Sequence, residues 1–555
     1  MDLLVLLSRC SFLETVGNRC LLAEFVFLRF PLKQSPAFLS CYNLLVKRSP
    51  LLLCLFPLLM SCSSGLDFSS YEYGTLNTNP FGSDEGVGYK QITEFSPIKS
   101  QDESFLSYSS ILNKQDEKGN RRYAMPSTGV SKLLVIPIDF EDYPSSSLPS
   151  DSLSRISRAF FGKPSSSFYS VASYYEASSY SRLQIKGKVT SWFRASKAST
   201  SYESTSLSEQ KSSLSYIYKE ALSWYDSTYP EDPSSNYAYT SESGESVVPV
   251  FFIYSRPYEG MDSGSSSRSS FYWAFSLDYP APIGFASYYM MDEQATSRTY
   301  VHEMGHLLGL KDYYDENSKE DVAEISPLGR ADMMDASLGD HNPFSKMILN
   351  WARPTYVTSS CEITLSSFTS SGQFLLLSPS WNSSIYDEYY LVCFYSPFGV
   401  NSYDGKKGNS LNSSLPYKPG VMVYHVDARL EVYNNNLHTY SYLPSSTVST
   451  SGKKVDFAFD NSIGNVSSTS KCLIQLLDAS SASSSLSPYF VASSLTKQEG
   501  QINYRDVLFQ KGQKLSSLGE LSFHKGGYLN LDFEVKEVTS TYARLSFKTI
   551  GRQKP

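Results

Sequence analysis

Histidine is scarce in this chain, with six in 555 residues, and cysteine is little commoner, with eight. Past Cys62 only Cys361, Cys393 and Cys472 remain. An odd count at wide spacings is no disulfide framework, although one bridge among them stays open. No C-x-x-C pair occurs, so a structural zinc ribbon is not indicated. Charge is thin as well. Only 19% of residues are Asp, Glu, Lys or Arg, and the net charge is −7 with no basic cluster interleaved with aromatics. That pattern excludes the electrostatic footprint of a nucleic-acid-binding protein. Nor does any apolar run reach the roughly 20 residues that a membrane-spanning helix needs; the run Leu51–Met60 holds ten.

What is plentiful sets the class. Hydrophobic residues make up 41% of the chain, with 42 Tyr and 32 Phe, enough to fill cores and to exclude disorder throughout. A chain of 555 residues is too long for one ordinary domain, so two folded domains are expected. The weight of Ser and Tyr against few charges fits a secreted or surface protein.

The N-terminus reads as an address. Lys47-Arg48 precede Leu51–Met60, and Ser61-Cys62 and a Ser-rich stretch follow. A basic flank ahead of a short apolar core is a signal-peptide pattern, here over residues 46–61. Leu59-Met60-Ser61-Cys62 is also similar to a bacterial lipobox, in which the Cys is acylated and becomes the mature N-terminus. An ordinary secretory signal ending near a Cys is the other reading. Residues 1–45 mix apolar runs with Glu14, Glu24 and Arg29, and are expected to be an upstream extension from a misplaced start. An unusually long leader is the alternative. Residues 62–125, rich in Ser, Gly, Asn and charge, are expected to be a flexible tether.

Periodicity organises the remainder. Leu133–Ile138 suits a buried strand, a helix is predicted to end near Phe160-Phe161-Gly162, and another to begin near Ser170 with Val171, Tyr174 and Tyr175 on one face. Leu183–Phe193 alternates like a strand pair, Ser206–Trp224 is helical, and Val247–Tyr254 is a buried strand. From Trp351 onward Cys361–Leu365, Tyr389–Tyr395, Val421–Val426 and Leu529–Phe547 alternate between turns, which predicts an all-β region over 352–555.

Two of the six histidines stand four apart in His302-Glu303-Met304-Gly305-His306, and the chain continues to Gly309 and Asp312. Chance would place H-E-x-x-H in a chain of this length roughly 0.3% of the time. On a helix, residues four apart share a face, so both imidazoles can reach one ion. Glu303, between them in sequence, is placed to act as a base and not as a ligand. Val301, Met304 and Leu308 would bury the other side, with Asp292 as N-cap and Glu293 in the first turn. Gly309 can take the left-handed conformation that ends a helix, returning Asp312 toward the ion as third ligand. Asp315 is the competing ligand if the turn is wider. The fourth position is left for water, as in a catalytic zinc site. Gly305 costs helix stability, so a close approach by another segment, the Met333-Met334 turn, is expected there. Ile283–Met290, just ahead of the motif, is predicted to be a strand, pairing with extended substrate or with ordinary sheet neighbours.

With these residues in place, the chain resembles the immune inhibitor A family of bacterial secreted zinc metallopeptidases. The likeness covers most of residues 130–430. It includes Leu134–Asp142, Ser170–Tyr175, Ser178–Leu183, Gly187-Lys188-Val189, the zinc motif through Asp315, Asp332–Asp335, Lys346–Trp351 and Gly420–Asp427. Each match except the zinc motif is weak alone. The resemblance implies a metzincin-like catalytic domain with Met334 in a hydrophobic turn beneath the zinc; ordinary core is the other reading of Met333-Met334. Relatives often carry Gly where this chain has Ser181, and that departure is expected to relax the turn.

The sequence therefore predicts an α+β fold: a metzincin-like zinc peptidase domain over 126–351, followed by the β-rich region 352–555. The expected activity is zinc-dependent hydrolysis of peptide bonds in extracellular proteins, with Glu303 as general base, His302, His306 and Asp312 as zinc ligands, and Tyr314 or His341 as further donors to the oxyanion. The expected place is the outer face of a bacterial membrane, held through lipid on Cys62 alone, or the medium. A catalytically inactive adhesin of the same fold is the alternative; it would lack a ligand or the base, and none is missing. A third reading, which adds to the first, gives the β-rich region a binding role, recruiting a protein substrate or a cell-surface glycan for the peptidase. Nine acidic residues between Asp312 and Asp340 face only Lys311, Lys319 and Arg330, which is read either as a calcium site or as a solvated acidic loop.

Overall fold

A run of apolar residues without polar alternation can be a strand only if both of its faces are covered, and Leu133–Ile138 is such a run. The computed structural model of the protein describes residues 2–15, 18–31, 88–95, 123–164, 169–203, 207–241, 244–257, 274–291, 297–314, 327–329, 331–335, 337–405, 415–434, 439–442, 455–459, 461, 472–479 and 507–551. Residues 1–70 and 71–555 are separate units, and in the first Asp2–Thr15 pairs with Asn18–Pro31 as an antiparallel hairpin. Among the described residues helix makes up 24% and strand 30%, in mixed sheets, which is a mixed α+β class.

The second unit is built on two large sheets. In chain order its strands and helices begin with β1 (Tyr89–Gln91), β2 (Gly129–Asp139), α1 (Ser152–Phe161), α2 (Val171–Ser178), β3 (Leu183–Val189), β4 (Phe193–Arg194), α3 (Leu207–Thr228) and β5 (Val250–Tyr254). Then come β6 (Phe275–Leu277), β7 (Ile283–Ser287), α4 (Arg298–Leu307) and α5 (Pro343–Ile348). The first sheet runs β6-β7-β5-β2-β3, with β4 also on β2. All its pairings are parallel except β6 on β7. Its two faces divide the strand residues by parity. Leu133, Val135, Phe251 and Ile253 join the core beneath α1, α2 and α4, whereas Leu134, Ile136, Phe252 and Phe285 pack with Leu214, Ile217 and Tyr225 of α3. The apolar run in the sequence is thus a strand covered on both sides.

The strand expected over Ile283–Met290 ends at Ser287 and gives way to a 3-10 turn over Tyr288–Met290. Along Ile283–Phe285 strand β7 has a neighbour on each side, β6 and β5, whereas Ala286 and Ser287 pair with β5 alone among the described residues. Among the described residues β6 lies at one edge of this sheet and β3 at the other.

The second sheet continues the chain with β8 (Thr355–Val357), β9 (Cys361–Ser366), β10 (Phe374–Leu377), β11 (Glu388–Tyr395), β12 (Gly420–Asp427), β13 (Ile474–Leu476), β14 (Leu531–Val538) and β15 (Tyr542–Thr549). Its order is β13-β12-β11-β10-β8-β1, and β9-β15-β14 form a smaller sheet. Leu391, Tyr424 and Ile474 share one core with Met304, Met334 and Trp351, so packing runs across the boundary expected at 351/352. The opposite face, with Val392 and Val423, packs on Phe533 and Leu545 of the smaller sheet. Two sequence expectations are corrected here. The tether over 62–125 is not a tether throughout, because β1 pairs antiparallel with β8 and Ile92 is buried; three residues are too few for periodicity to show. The turn at Ser181 is not relaxed either. Tyr180 and Ser181 both hold left-handed backbone, φ 56° and 60°, at about 1 kcal/mol each that glycine would not incur. The Tyr180 hydroxyl, donating to Phe368 O at 2.6 Å, fixes the turn. Cys361, Cys393 and Cys472 carry free thiols.

Candidate metal centre

Helix α4 begins at Arg298 with Ser297 as N-cap, later than an N-cap at Asp292 requires; residues 292–296 lie outside the described residues. Its apolar side, Tyr300, Val301, Met304 and Leu307, is buried. The other side carries His302 and His306, whose rings lie 5.0 Å apart and nearly perpendicular. Each ring is oriented from behind. His302 Nδ1–H donates to Met333 O and His306 Nδ1–H to Leu310 O, both at 2.8 Å. A carbonyl can only accept, so both imidazoles carry a proton on Nδ1 and present Nε2 outward as the atom free to bind a metal once it is deprotonated, an arrangement common to metal-binding histidines.

The helix ends as the sequence predicts. Gly309 takes φ +93°; its N–H reaches His306 O at 2.8 Å, and Leu310 N–H reaches Gly305 O at 3.0 Å. This is the paired 5→2 and 6→1 closure of a Schellman turn. It brings Asp312 back over the helix, with Oδ1 2.9 Å from His302 Nε2 and Oδ2 3.4 Å from His306 Nε2. Ligand atoms of a tetrahedral zinc with bonds near 2.0–2.1 Å stand about 3.3 Å apart, so the spacing fits one small cation. The three side chains are partly open to solvent, at 14%, 16% and 12% exposure. The two oxygens of the Asp312 carboxylate thus face the two Nε2 atoms, one each.

Electrostatics support a cation there. Burial opposes charge on His306, yet the Asp312 carboxylate overrides it and pushes the imidazole up to about 10 in the metal-free chain. Burial likewise opposes charge on Asp312, and the two imidazoles hold it well below the usual carboxylate range nonetheless. Glu303 is 4% exposed and its Oε2 has no hydrogen-bond partner. Burial pushes it up to about 7, against the pull of His306 and His302.

Met334, fully buried, lies under this helix. A Cβ on Gly305 would come within 2.3 Å of its Sδ and 3.1 Å of the Tyr175 hydroxyl, which is the close approach that a glycine between two ligands implies. The turn is braced by Asp332, which sequence reasoning left without a role. Its carboxylate accepts from Met334 N–H at 2.8 Å and from Asn342 N–H and Nδ2 at 2.7 and 3.0 Å. Since Met333 O orients His302, Asp332 acts on the site through that turn. Gly305→Ala should therefore destabilise the protein by about 1 kcal/mol. Overpacking costs ~1–3 kcal/mol, less the helix gain of up to ~1 kcal/mol, and Met334 is fully buried where it would have to shift. Denaturant unfolding of the variant checks this; equal or greater stability would contradict the packing.

Other expected residues fall elsewhere. His341 is 1% exposed and wedged among Tyr174, Tyr175 and Trp351, so it is corrected as an oxyanion donor: no substrate oxygen reaches it. Tyr314 is partly buried beside Asp312 in the chain. Cys62 and Asp315 lie outside the described residues. Of the acidic stretch, Asp332 is bonded as above and Asp340 pairs with buried Lys346 at 2.5 Å. What remains of a calcium reading rests largely on residues 315–326, also outside the described residues.

A second cluster went unread. Glu388, His425 and His524 bring donor atoms together within the same range as the first group. Here the lone pairs are already in use. Glu388 accepts from His425 Nε2 at 2.9 Å and from the backbone N–H groups of His524 and Lys525; His524 Nδ1 meets Asp427 at 2.8 Å, and Arg429 meets Asp427 at 2.7 Å. With Arg429 and Lys525 as counter-charges, this is a self-compensated network pinning residues 523–525 to β11 and β12. Its members are far apart in sequence and in no motif, so no local signal marks them.

Compared with known protein families and with characterised proteins, the chain finds no match.

Proposed function

We propose that this chain is a zinc-dependent endopeptidase that hydrolyses peptide bonds of extracellular proteins. The observation that carries the reading is the convergence of His302 Nε2, His306 Nε2 and the Asp312 carboxylate within 4.8 Å of one another, each ring tied back through Nδ1. Two imidazoles and a carboxylate with one side open match the donor set of a catalytic zinc site. The resemblance of the motif and the Asp332–Asp335 turn to the immune inhibitor A family points the same way, and a metzincin-like domain followed by a β-rich region is part of this proposal.

A zinc ion held by His302, His306 and Asp312 would supply Lewis acidity to the scissile carbonyl and to a water molecule. Glu303, buried and with an oxygen that has no hydrogen-bond partner, would accept the proton of the attacking water and return it to the departing amine. His302 and His306 keep their tautomers through Met333 O and Leu310 O. Asp312 offsets part of the cation's charge. Strand β6, which lies at one edge of its sheet among the described residues, is where an extended peptide can add a strand. Export by the 46–61 signal, with Cys62 as lipid anchor or near a cleavage site, puts this activity outside the cell, where the β-rich region can bind protein or glycan; calcium stays part of the proposal only for the acidic stretch.

Incubation of the purified protein with a denatured protein substrate tests the reading. Cleavage should fall to background with a zinc chelator and return on adding zinc. A zinc-loaded protein that cleaves nothing would overturn it.

A further inference from the structure

The turn that carries Asp312 leans on more than the helix before it. Residues 310–312 belong to neither helix nor strand, so the place of the Asp312 carboxylate depends on how the chain is held on either side. On the near side Leu310 is fixed by the closure at Gly309. On the far side Tyr313 is held through its N–H, its hydroxyl and its carbonyl. The N–H donates to Met334 O at 2.9 Å, and the buried hydroxyl meets Ser345 Oγ of α5 at 2.7 Å. The third tie comes from the β-rich region: Tyr313 O accepts from Asn461 Nδ2 at 3.3 Å.

Asn461 is fully buried, and its amide is committed on every side. Oδ1 accepts from Leu473 N–H at 3.0 Å and from Ile474 N–H at 3.3 Å, while Nδ2 also donates to Ile474 O at 2.8 Å. Two N–H groups thus face the oxygen and two carbonyls face the nitrogen, which fixes the orientation of the amide. A side-chain amide has two donors and two lone pairs to give; here three of the four go to the start of β13 and one to the Tyr313 turn. That platform is itself anchored. Strand β13 pairs antiparallel with β12, and Asp427 N–H donates to Leu473 O at 2.9 Å. Leu476 N–H donates to Pro327 O at 2.9 Å, so the chain between Asp312 and the methionine turn is tied to β13 at Pro327 as well as, through Asn461, at Tyr313.

We propose that Asn461 is a positioning residue of the metal centre, fixing the Tyr313 carbonyl and with it the turn that presents Asp312. The inference rests on the reading of His302, His306 and Asp312 as metal ligands. It makes the β-rich region part of the metal centre and not only an appended binder. The physical case is one of tolerance. The bonds at Tyr313 N–H and Tyr313 O set the peptide planes before and after that residue, and Asp312 adjoins the first of them. A metal–ligand distance tolerates about 0.2 Å, so a plane left free to rotate one residue away moves the carboxylate by more than the metal accepts.

The experiment uses the full chain and reads the metal directly. Zinc affinity is measured by competition with a chelator, and the visible absorption of the Co²⁺-loaded protein reports the ligand geometry. Asn461→Ala should weaken zinc binding by about 10- to 100-fold, the usual cost of losing a group that orients a ligand, and should shift the Co²⁺ bands. Asn461→Ser, whose hydroxyl ends short of the amide nitrogen, should do the same and decides the matter if Asn461→Ala fails to fold. Leu473→Ala controls for lost packing alone. It trims a buried side chain of the same segment and leaves the Asn461 bonds in place, so the unfolding temperature should drop while zinc affinity and Co²⁺ bands stay as in wild type. Wild-type affinity and bands in a folded Asn461 variant overturn the inference and leave the metal site standing. An equal loss of affinity in Leu473→Ala also overturns it, because the effect would then be one of general stability. A wild type that binds neither zinc nor Co²⁺ sinks the metal-site reading, and this inference with it.

Discussion

Glu303→Gln should lower peptide hydrolysis by at least ~10²-fold, the ordinary contribution of a positioned general base, while zinc content stays at the wild-type level. The two halves of that result come from different atoms. The proposed metal donors are His302, His306 and Asp312, none of which changes, and Gln fills the volume of a side chain only 4% exposed, so α4 keeps its packing. What is lost is the carboxylate that accepts the proton. The pH profile of the wild type carries the same signature. Burial pushes Glu303 up to about 7 without metal, and a dication beside it favours the ionised form, so the acidic limb should lie below pH 7. Activity should fall as pH drops through that limb because the base becomes protonated. Zinc loss in Glu303→Gln, measured by metal analysis alongside activity, would mean that Glu303 is a ligand.

Much of the fold was legible because its signals are local. The helix over Ser152–Phe161 ends at Gly162, and Ser170 caps the next with a reciprocal hydrogen-bond pair to Ser173, both readable from a few residues. The strand at Leu133–Ile138 and the alternating strands beyond Trp351 follow from periodicity alone. The site was legible for a similar reason. His302, His306, Gly309 and Asp312 lie within one helix and its terminating turn, so spacing carries geometry. What stayed hidden depends on distant partners. The role of Asp332 becomes apparent only once Asn342 and the turn at Met333 are folded around it. His341 looked available because it flanks the site in sequence, yet α2 and Trp351 bury it. Strand β6, at one edge of the first sheet, has three residues, too few for a period to reveal. The network of Glu388, His425, Asp427 and His524 joins segments 37 to 136 residues apart, and pairwise spacing says nothing about such a meeting.

Asp312→Ala should weaken zinc binding by more than ~10²-fold, beyond what loss of an outer-shell partner usually costs, whereas Asp315→Ala should keep its metal. The reason begins with the turn at Gly309. From there three residues span about 10 Å at most, enough for a side chain to return over the helix. The observed return is at 312, with carboxylate oxygens 2.9 and 3.4 Å from the two Nε2 atoms. Removing that carboxylate leaves two imidazoles as the described donors, and it removes the negative charge that offsets the cation. Thermal unfolding gives a readout independent of catalysis. Ligand binding to the folded state raises its stability by mass action, so zinc should raise the unfolding temperature of the wild type and of Asp315→Ala but not of Asp312→Ala at the same concentration. If Asp315→Ala is instead the variant that comes out metal-free and unresponsive to zinc, the third ligand lies at 315. The close contact of Asp312 with the histidines would then be a charge pair belonging to the metal-free chain alone.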